Sequence, residues 1–343
     1  MKKMISVLLA VLFLLGICLM PGCGLLDAFS EKVPTTYSDA HKYTAGNAEF
    51  TGKVDTFFLY WQDGSVTIKT HKEDSVKIEE TANGELVDSF RVRWYYHNAS
   101  EYGNVLTVQY SASGKFDFGD LKKDITVYLP ENEDMYISLS VQTASVDIDV
   151  SQFENTVESV AVNNYSGSVS VRVDNADEIR ISGQNDDSAP ESEREFFFRA
   201  NGEVRSLGIS SSYAKVDAAA KTVRNGDVGS VFSDLVFCVD EARDLKLSNS
   251  EGKIHATVLA FQTLDIETRT DSCELTLSPE ASFALTMKEK NRFNQKMTPK
   301  SVSVEFDGVT QNGAVYTVGS GESKLTVATD SDLRILSAKQ GSY

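Results

Sequence analysis

The sequence predicts an all-β protein whose larger part is a stacked repeat of the solenoid type, preceded by a small antiparallel sheet. A recurring spacing is the first reason: Leu245 and Leu247 stand 19 residues before Leu264 and Ile266, and Ile254 stands 19 before Cys273. The second is that each copy holds two short runs of alternating apolar and polar residues with a polar turn between them, which makes strands that bury one face on a neighbour. The third is the lack of any long 3.6-residue period with capping residues, so little helix is expected.

Of the 343 residues, the first 22 read as a processing segment. Lys2 and Lys3 precede an apolar run from Ile5 to Leu19, which ends at Met20-Pro21-Gly22-Cys23. About 15 apolar residues fall short of the roughly 20 that span a bilayer. The segment resembles a bacterial lipoprotein signal, which implies that Cys23 becomes the first mature residue and carries lipid, holding the chain at a membrane surface. Pro21 and Met20 depart from that pattern, and secretion with cleavage nearby is the competing expectation. Residues 23–48 mix Ser, Thr, Asp and Gly without a period and read as a tether, or in part as an edge strand anchored by Tyr37 and Tyr43.

The formal charge of −17 argues against a nucleic-acid partner and for a solvated outer surface. Of the four cysteines, Cys18 leaves with the signal and Cys23 takes lipid, so the chain is no disulfide scaffold. Cys238 and Cys273 sit in strand-like runs more than one coil apart and are expected as buried free thiols, a bridge being the alternative.

Residues 49–130 read as the antiparallel sheet unit. VDTFFLYW and SVTIKT flank Gln62-Asp63-Gly64, a hairpin pattern, and VKIEET, FRVRWYY, VLTVQYS and ITVYLP follow. Residues 131–343 read as the repeat region. Ile137 and Val160 mark comparable starts, Val169, Val171 and Val173 form an inward row, and Asn201-Gly202 and Asn225-Gly226 read as turns. Two polar insertions interrupt it, at 184–195 and at 288–300; the second holds five of the 33 Lys and Arg residues and reads as an exposed basic loop.

Few residues invite chemistry. His41, His71, His97 and His255 are scattered without a ligand spacing, so neither catalysis nor a metal site is expected, and no cofactor. His255 should face solvent. Asp147 and Asp149 share a strand face, and Asp186, Asp187, Glu191, Glu193 and Glu195 share a loop, yet neither set has a calcium-loop order, and solvated surfaces are the expected reading. The aromatic runs are more telling. Phe57, Phe58, Tyr60 and Trp61 lie in one strand and Trp94, Tyr95, Tyr96 and His97 in another; alternation puts Val92, Trp94 and Tyr96 on one face and Arg91, Arg93 and Tyr95 on the other. Trp61, Arg91, Arg93, Trp94 and Tyr95 are candidates for stacking on a glycan or peptide, with core filling by the two tryptophans as the plainer reading. Lys288, Lys290 and Arg292 are candidates for an anionic partner.

The export signal, the early strand block, the serial V-x-V and L-x-I runs and the ending GSGESKLTVATDSDLRIL are similar to the bacterial DUF4097 family of adhesin-like β-strand repeat proteins. Gly319, Gly321, Leu325, Val327, Asp332, Leu333 and Ile335 match its closing pattern, and Ser331-Asp332 departs from the Ser-Gly turn common there. The resemblance implies a right-handed, single-stranded β-helix-like solenoid and supplies no catalytic residues. The function expected is therefore non-catalytic: a lipid-anchored protein on the extracytoplasmic face of the cell membrane, binding an envelope protein or glycan or acting structurally. An extracytoplasmic regulatory partner of a membrane protein is the alternative, and a carbohydrate-active hydrolase a distant one.

Overall fold

A computed structural model describes residues 40–112, 119–131, 135–185, 194–269 and 271–338, with the side chains of 138–144 also left aside. The signal segment, Cys23, Tyr37 and the acidic loop residues 186–193 lie outside the described residues.

Strands dominate. In chain order they are β1 (Thr44–Ala45), β2 (Ala48–Phe50), β3 (Thr56–His71), β4 (Val76–Ala82), β5 (Arg93–Ala99), β6 (Gly103–Gln109), β7 (Lys123–Pro130), β8 (Tyr136–Val150), β9 (Val157–Asn164), β10 (Val169–Val173) and β11 (Ala176–Gln184). The series continues with β12 (Glu195–Ser212), β13 (Lys215–Val231), β14 (Leu235–Asn249), β15 (Ile254–Thr268), β16 (Cys273–Leu277), β17 (Phe283–Met287), β18 (Ser301–Glu305), β19 (Thr310–Asn312), β20 (Val315–Val318), β21 (Ser323–Thr329) and β22 (Asp332–Ser337). Among the described residues, helix is limited to short 3-10 turns at Ala40–Lys42 and Asp88–Phe90.

The long strands turn a corner partway and so belong to two parallel ladders. Ladder one stacks the second halves of β12, β13, β14 and β15, with Leu207, Gly226, Leu245 and Leu264 in register. Ladder two stacks their first halves and then β16, with Val216, Leu235, Ile254 and Cys273 in register. The 19-residue spacing is thus one turn of a coil. Ile137 pairs with Val160, and Val169, Val171 and Val173 point inward, as the sequence predicts.

A single coil has no core of its own; only stacking brings each inward row onto its neighbour. The inward residues of both ladders belong to one buried cluster that runs from Val54 to Ile335. Their sizes interleave: Phe198, Ala218, Phe237 and Ala256 follow one another across four coils. Asn225-Gly226, expected as a turn, lies inside β13, paired on both sides, and glycine stands there because a Cβ would meet Leu245 Cδ1 at 2.7 Å. Asn201-Gly202 likewise lies within β12, beside the register shift between Ala200 and Glu203.

Where ladder one ends and the chain turns, a second column runs along the stack, and it is polar. Ser211, Ser230, Asn249, Thr268 and Thr329 are in register and buried. Each serves a turn: Ser211 Oγ donates to Ala214 O (2.8 Å), Asn249 Nδ2 to Ser233 O (2.8 Å) and Lys253 O (3.2 Å), and Thr329 Oγ1 accepts from Ser331 N (2.9 Å). Turn backbone that leaves the ladders is thereby satisfied without water.

The first unit differs from the expectation. Asp63-Gly64 makes a corner rather than a hairpin, and β3 runs through it. Gly64 has φ +94, and a Cβ there would lie 1.9 Å from Lys123 O, so the chain bends against β7 instead of folding back on itself. The two halves of β3 pair in parallel with β8, and on their other side with β6 and β7, which joins the unit to the repeat region. Antiparallel pairing is confined to the outermost strands, β1–β5, β2–β4, β4–β7 and β5–β6. Residues 44–48, expected within the tether, supply β1 and the start of β2, so the edge-strand alternative holds there.

The coil order is not the chain order at either end. β3 lies between β8 and the β6–β7 pair, although β6 and β7 precede β8 in sequence. At the other end β15 and β16 pair with β21 and β22, and β17 and β18 pair with the far side of those same strands. The last coil, residues 323–337, is therefore inserted one layer inside the end of the stack. A chain ending at residue 321 is expected to lose amide protection at Phe283–Met287 and Ser301–Glu305 as well as the deleted part, with protection in β12–β14 retained. Direct docking of the β17–β18 coil on β15–β16, with protection kept, would contradict the insertion.

Candidate binding surface

Outward rows of strands need only polar residues, yet the outer face of ladder one carries large rings near its N-terminal end. Tyr95 stacks on His97 (4.4 Å, 9°) and lies 5.4 Å from Tyr43, with Lys42 Nζ 5.9 Å from its ring. Across β6, Phe58 packs edge-on against Tyr102 (6.4 Å) and Tyr136 (6.1 Å). Tyr60, two residues on, is 41% exposed, and Tyr102 is exposed too. Register places Tyr95, Thr107 and Phe58 in one column and Arg93, Gln109 and Tyr60 in the next.

The predicted residues divide accordingly. Tyr95 and Arg93 do face outward; Arg93 donates to the Asp88 carboxylate (2.7 Å) and carbonyl (2.8 Å), which fixes its position, and Arg91 is exposed beside it. Trp94 and Tyr96 turn inward onto Phe50, at 5.5 and 5.2 Å, and Tyr96 donates to Lys53 O. Trp61 is 2% exposed and donates from Nε1 to Lys123 O (3.3 Å), so it fills the core and presents nothing to a ligand. Phe58, Tyr60, Tyr102 and Tyr136 complete the outward patch. Strict alternation with buried Phe57, Leu59 and Trp61 was the signal that could have placed Phe58 and Tyr60 outside.

The basic insertion is also more fixed than an exposed loop. It crosses the outer face of ladder one at its C-terminal end, held by Lys288 N to Val327 O (2.8 Å) and Thr298 N to Asp330 Oδ1 (2.7 Å), with Met297 3% exposed. Lys288 pairs with both carboxylate oxygens of Asp265 (2.9 Å each), Arg292 Nε lies 3.9 Å from Glu267 Oε1, and Lys290 remains exposed opposite Lys296. Outward carboxylates of β15 therefore answer two of the insertion's five positive charges, those of Lys288 and Arg292.

The alternation test also reveals a charged pair inside the protein that sequence reasoning missed. Lys123 leads the inward row Lys123, Ile125, Val127, Leu129, and Glu80 ends the inward row Val76, Ile78, Glu80. Lys123 Nζ, wholly buried, donates to Glu80 Oε1 (2.6 Å), Phe90 O (2.6 Å) and Tyr110 O, and sits 4.1 Å from the Tyr110 ring and 5.0 Å from the Trp61 ring. Glu80 in turn accepts Val92 N at both oxygens. Burial pulls the Lys123 pKa down, opposed by the charge and hydrogen bond of Glu80. Removing one charge from such a pair strands the other, whereas removing both does not. Lys123→Met is expected to lose about 3–5 kcal/mol in urea unfolding. Lys123→Met with Glu80→Gln, which keeps an acceptor for Val92, should regain most of it. Equal losses would show that the ion pair is not what holds these strands.

Cys238 and Cys273 are free thiols, two coils apart as expected, but only Cys273 is buried; alternation turns Cys238 outward. Burial pushes the Cys273 thiol up to about 12. His255 is exposed, as predicted. Among the described residues no group of His, Cys, Asp and Glu is arranged to hold a metal ion, and no helix is long and apolar enough to cross a membrane.

A coil built of two parallel ladders defines a class of all-β repeat folds. Residues 54–337 match the model of the Toastrack DUF4097 family, and the chain belongs to that family. Solved structures similar to it are those of a candidate cell adhesion protein from Clostridium sporogenes (10% identity, 85% of this chain and 99% of that one, TM-score 0.25) and candidate adhesins from Bacteroides fragilis (10%, 85% and 97%, 0.36) and Parabacteroides merdae (11%, 86% and 96%, 0.38). At these scores the assignment rests on the family model. Among curated proteins none matches.

Proposed function

We propose that the protein is a non-catalytic cell-envelope module, exported and held by lipid at Cys23 on the extracytoplasmic face of the membrane, which binds an envelope glycan through the outer face of ladder one. Membership of the family and the adhesin descriptions of similar structures support a surface role. The observation that carries the binding reading is the outward ring set of half-buried Tyr95, His97 and Phe58 with exposed Tyr60, fixed on β5 and β3 on either side of β6. Flat rings fixed on a sheet stack on sugar faces at little cost in side-chain freedom. We take the coils as right-handed, since strand–crossover–parallel strand connections are right-handed in about 98% of cases.

Tyr60→Ala with Tyr95→Ala leaves the core untouched. On an array of bacterial envelope glycans the intact protein should bind at least one class, and the double variant should lose roughly tenfold or more in affinity. Unchanged binding by a folded double variant would overturn the assignment of this face. Cys23→Ala should move the protein from the membrane fraction to the soluble one.

A further inference from the structure

The basic insertion forms one wall of a notch at the other end of the same face. Its floor is the corner column, Ser230 and Asn249, beside the outward Ser210 and Ser248; Arg292 and Phe293 are the insertion's share of the lining, and Arg269 and Glu267 complete it, the Glu267 carboxylate being engaged by Arg292 (N–H 3.3 Å, Nε 3.9 Å). The notch holds about 90 Å³, room for about three waters.

Three features set it apart from an ordinary surface crease. Phe293 is 67% exposed, yet it is held firmly: its own N–H and that of Gln295 donate to Asn291 Oδ1 (3.0 and 2.9 Å), Asn291 is only 7% exposed, and Arg292 covers one face of the ring at 4.8 Å. Hydration of a large fixed ring is unfavourable, and nothing in the fold requires it. Arg269 makes no ion pair among the described residues, although the chain carries −17 overall. Finally, Asn249, 3% exposed, keeps its Oδ1 without a hydrogen-bond partner while its Nδ2 is fully used. A buried acceptor without a donor is what a ligand hydroxyl, directly or through one water, would satisfy.

From this juxtaposition we infer that the notch is a second binding site, specific for a saccharide unit carrying a carboxylate. The carboxylate pairs with Arg269, sugar hydroxyls meet Ser210, Ser248 and the Asn249 acceptor, and the apolar face of the ring lies on Phe293. A choline headgroup would leave the hydroxyl floor without partners of matching kind, and an apolar peptide would leave the arginine unanswered. This site lies on different coils from the aromatic patch and does not depend on it.

Isothermal titration of the full chain with tetragalacturonic acid, a neutral galactose tetramer and sodium acetate separates the possibilities. The acid tetramer should bind, and the other two at least tenfold more weakly. Phe293→Ala and Arg269→Ala, both at exposed positions, should each weaken the acid tetramer roughly tenfold, and Tyr60→Ala should not. Equal binding of acetate would mean simple ion pairing and would overturn the proposal, as would no binding of the acid tetramer or unchanged affinity in both notch variants. Loss only in Tyr60→Ala would place all saccharide contact at the other patch.

Discussion

No coil of this protein can bury its own apolar face, and every other feature follows from that. Each ladder offers one inward row, the two rows close on each other, and the only way to extend the dry interior is to add another coil. The column is narrow, so its filling depends on neighbours of complementary size. Where Phe198 and Phe237 stand, Ala218 and Ala256 stand between and beyond them; where Leu245 reaches across, Gly226 gives way. The outward rows are freed from packing by the same geometry, which is why large rings can be displayed on one region and a flat hydroxyl floor on another.

A stack of this kind has two vulnerable ends, because an open parallel edge invites another strand. Both ends are treated alike here. The first long strand, β3, and the last coil, β21–β22, each lie one layer inside the end, and chain from the adjoining part of the sequence covers them. Antiparallel strands finish the edges, at β1, β2, β4 and β5 on one side and β19–β20 on the other. Such an arrangement ties residues far apart in sequence and makes the ends cooperative with the middle, unlike a repeat that frays coil by coil. The buried Lys123–Glu80 pair belongs to the same problem. It crosses from β7 to β4 where the inner column runs out of aliphatic partners, and its hydrogen bonds satisfy the Phe90 and Tyr110 carbonyls and the Val92 N–H.

The coils were legible in the sequence because their period is exact over four of them and because inward rows are strictly alternating. Val169, Ile254 and Leu264 could be placed from pattern alone. The ends were not legible. Nothing in SKLTVAT says that it pairs with β15 rather than following β18, since pairing between distant segments leaves no local trace. Asp63-Gly64 misled because the dipeptide suits a hairpin and a coil corner equally; only the carbonyl of Lys123, 59 residues on, decides between them. Of the binding surface, Tyr95, Arg93 and Arg292 were visible as residue types in telling places. Trp61 and Trp94 were drawn inward by the very alternation that exposes Tyr60 and Tyr95. The notch was out of reach, since Ser230, Asn249 and Phe293 come together only through stacking and the crossing of the insertion.

The central claim is that the final coil sits inside the stack, and cysteine pairing reads it out most directly. In a Cys238→Ser background, Glu274 and Arg334 are outward neighbours in register on β16 and β22, whereas Ser303 lies one strand farther, opposite Arg334. Cysteines replacing Glu274 and Arg334 should form a disulfide under mild oxidation, and cysteines replacing Glu274 and Ser303 should not, being about 10 Å apart across two strand spacings. The reverse outcome, with 274 linked to 303 and not to 334, would contradict the inserted coil and the account of both ends built on it.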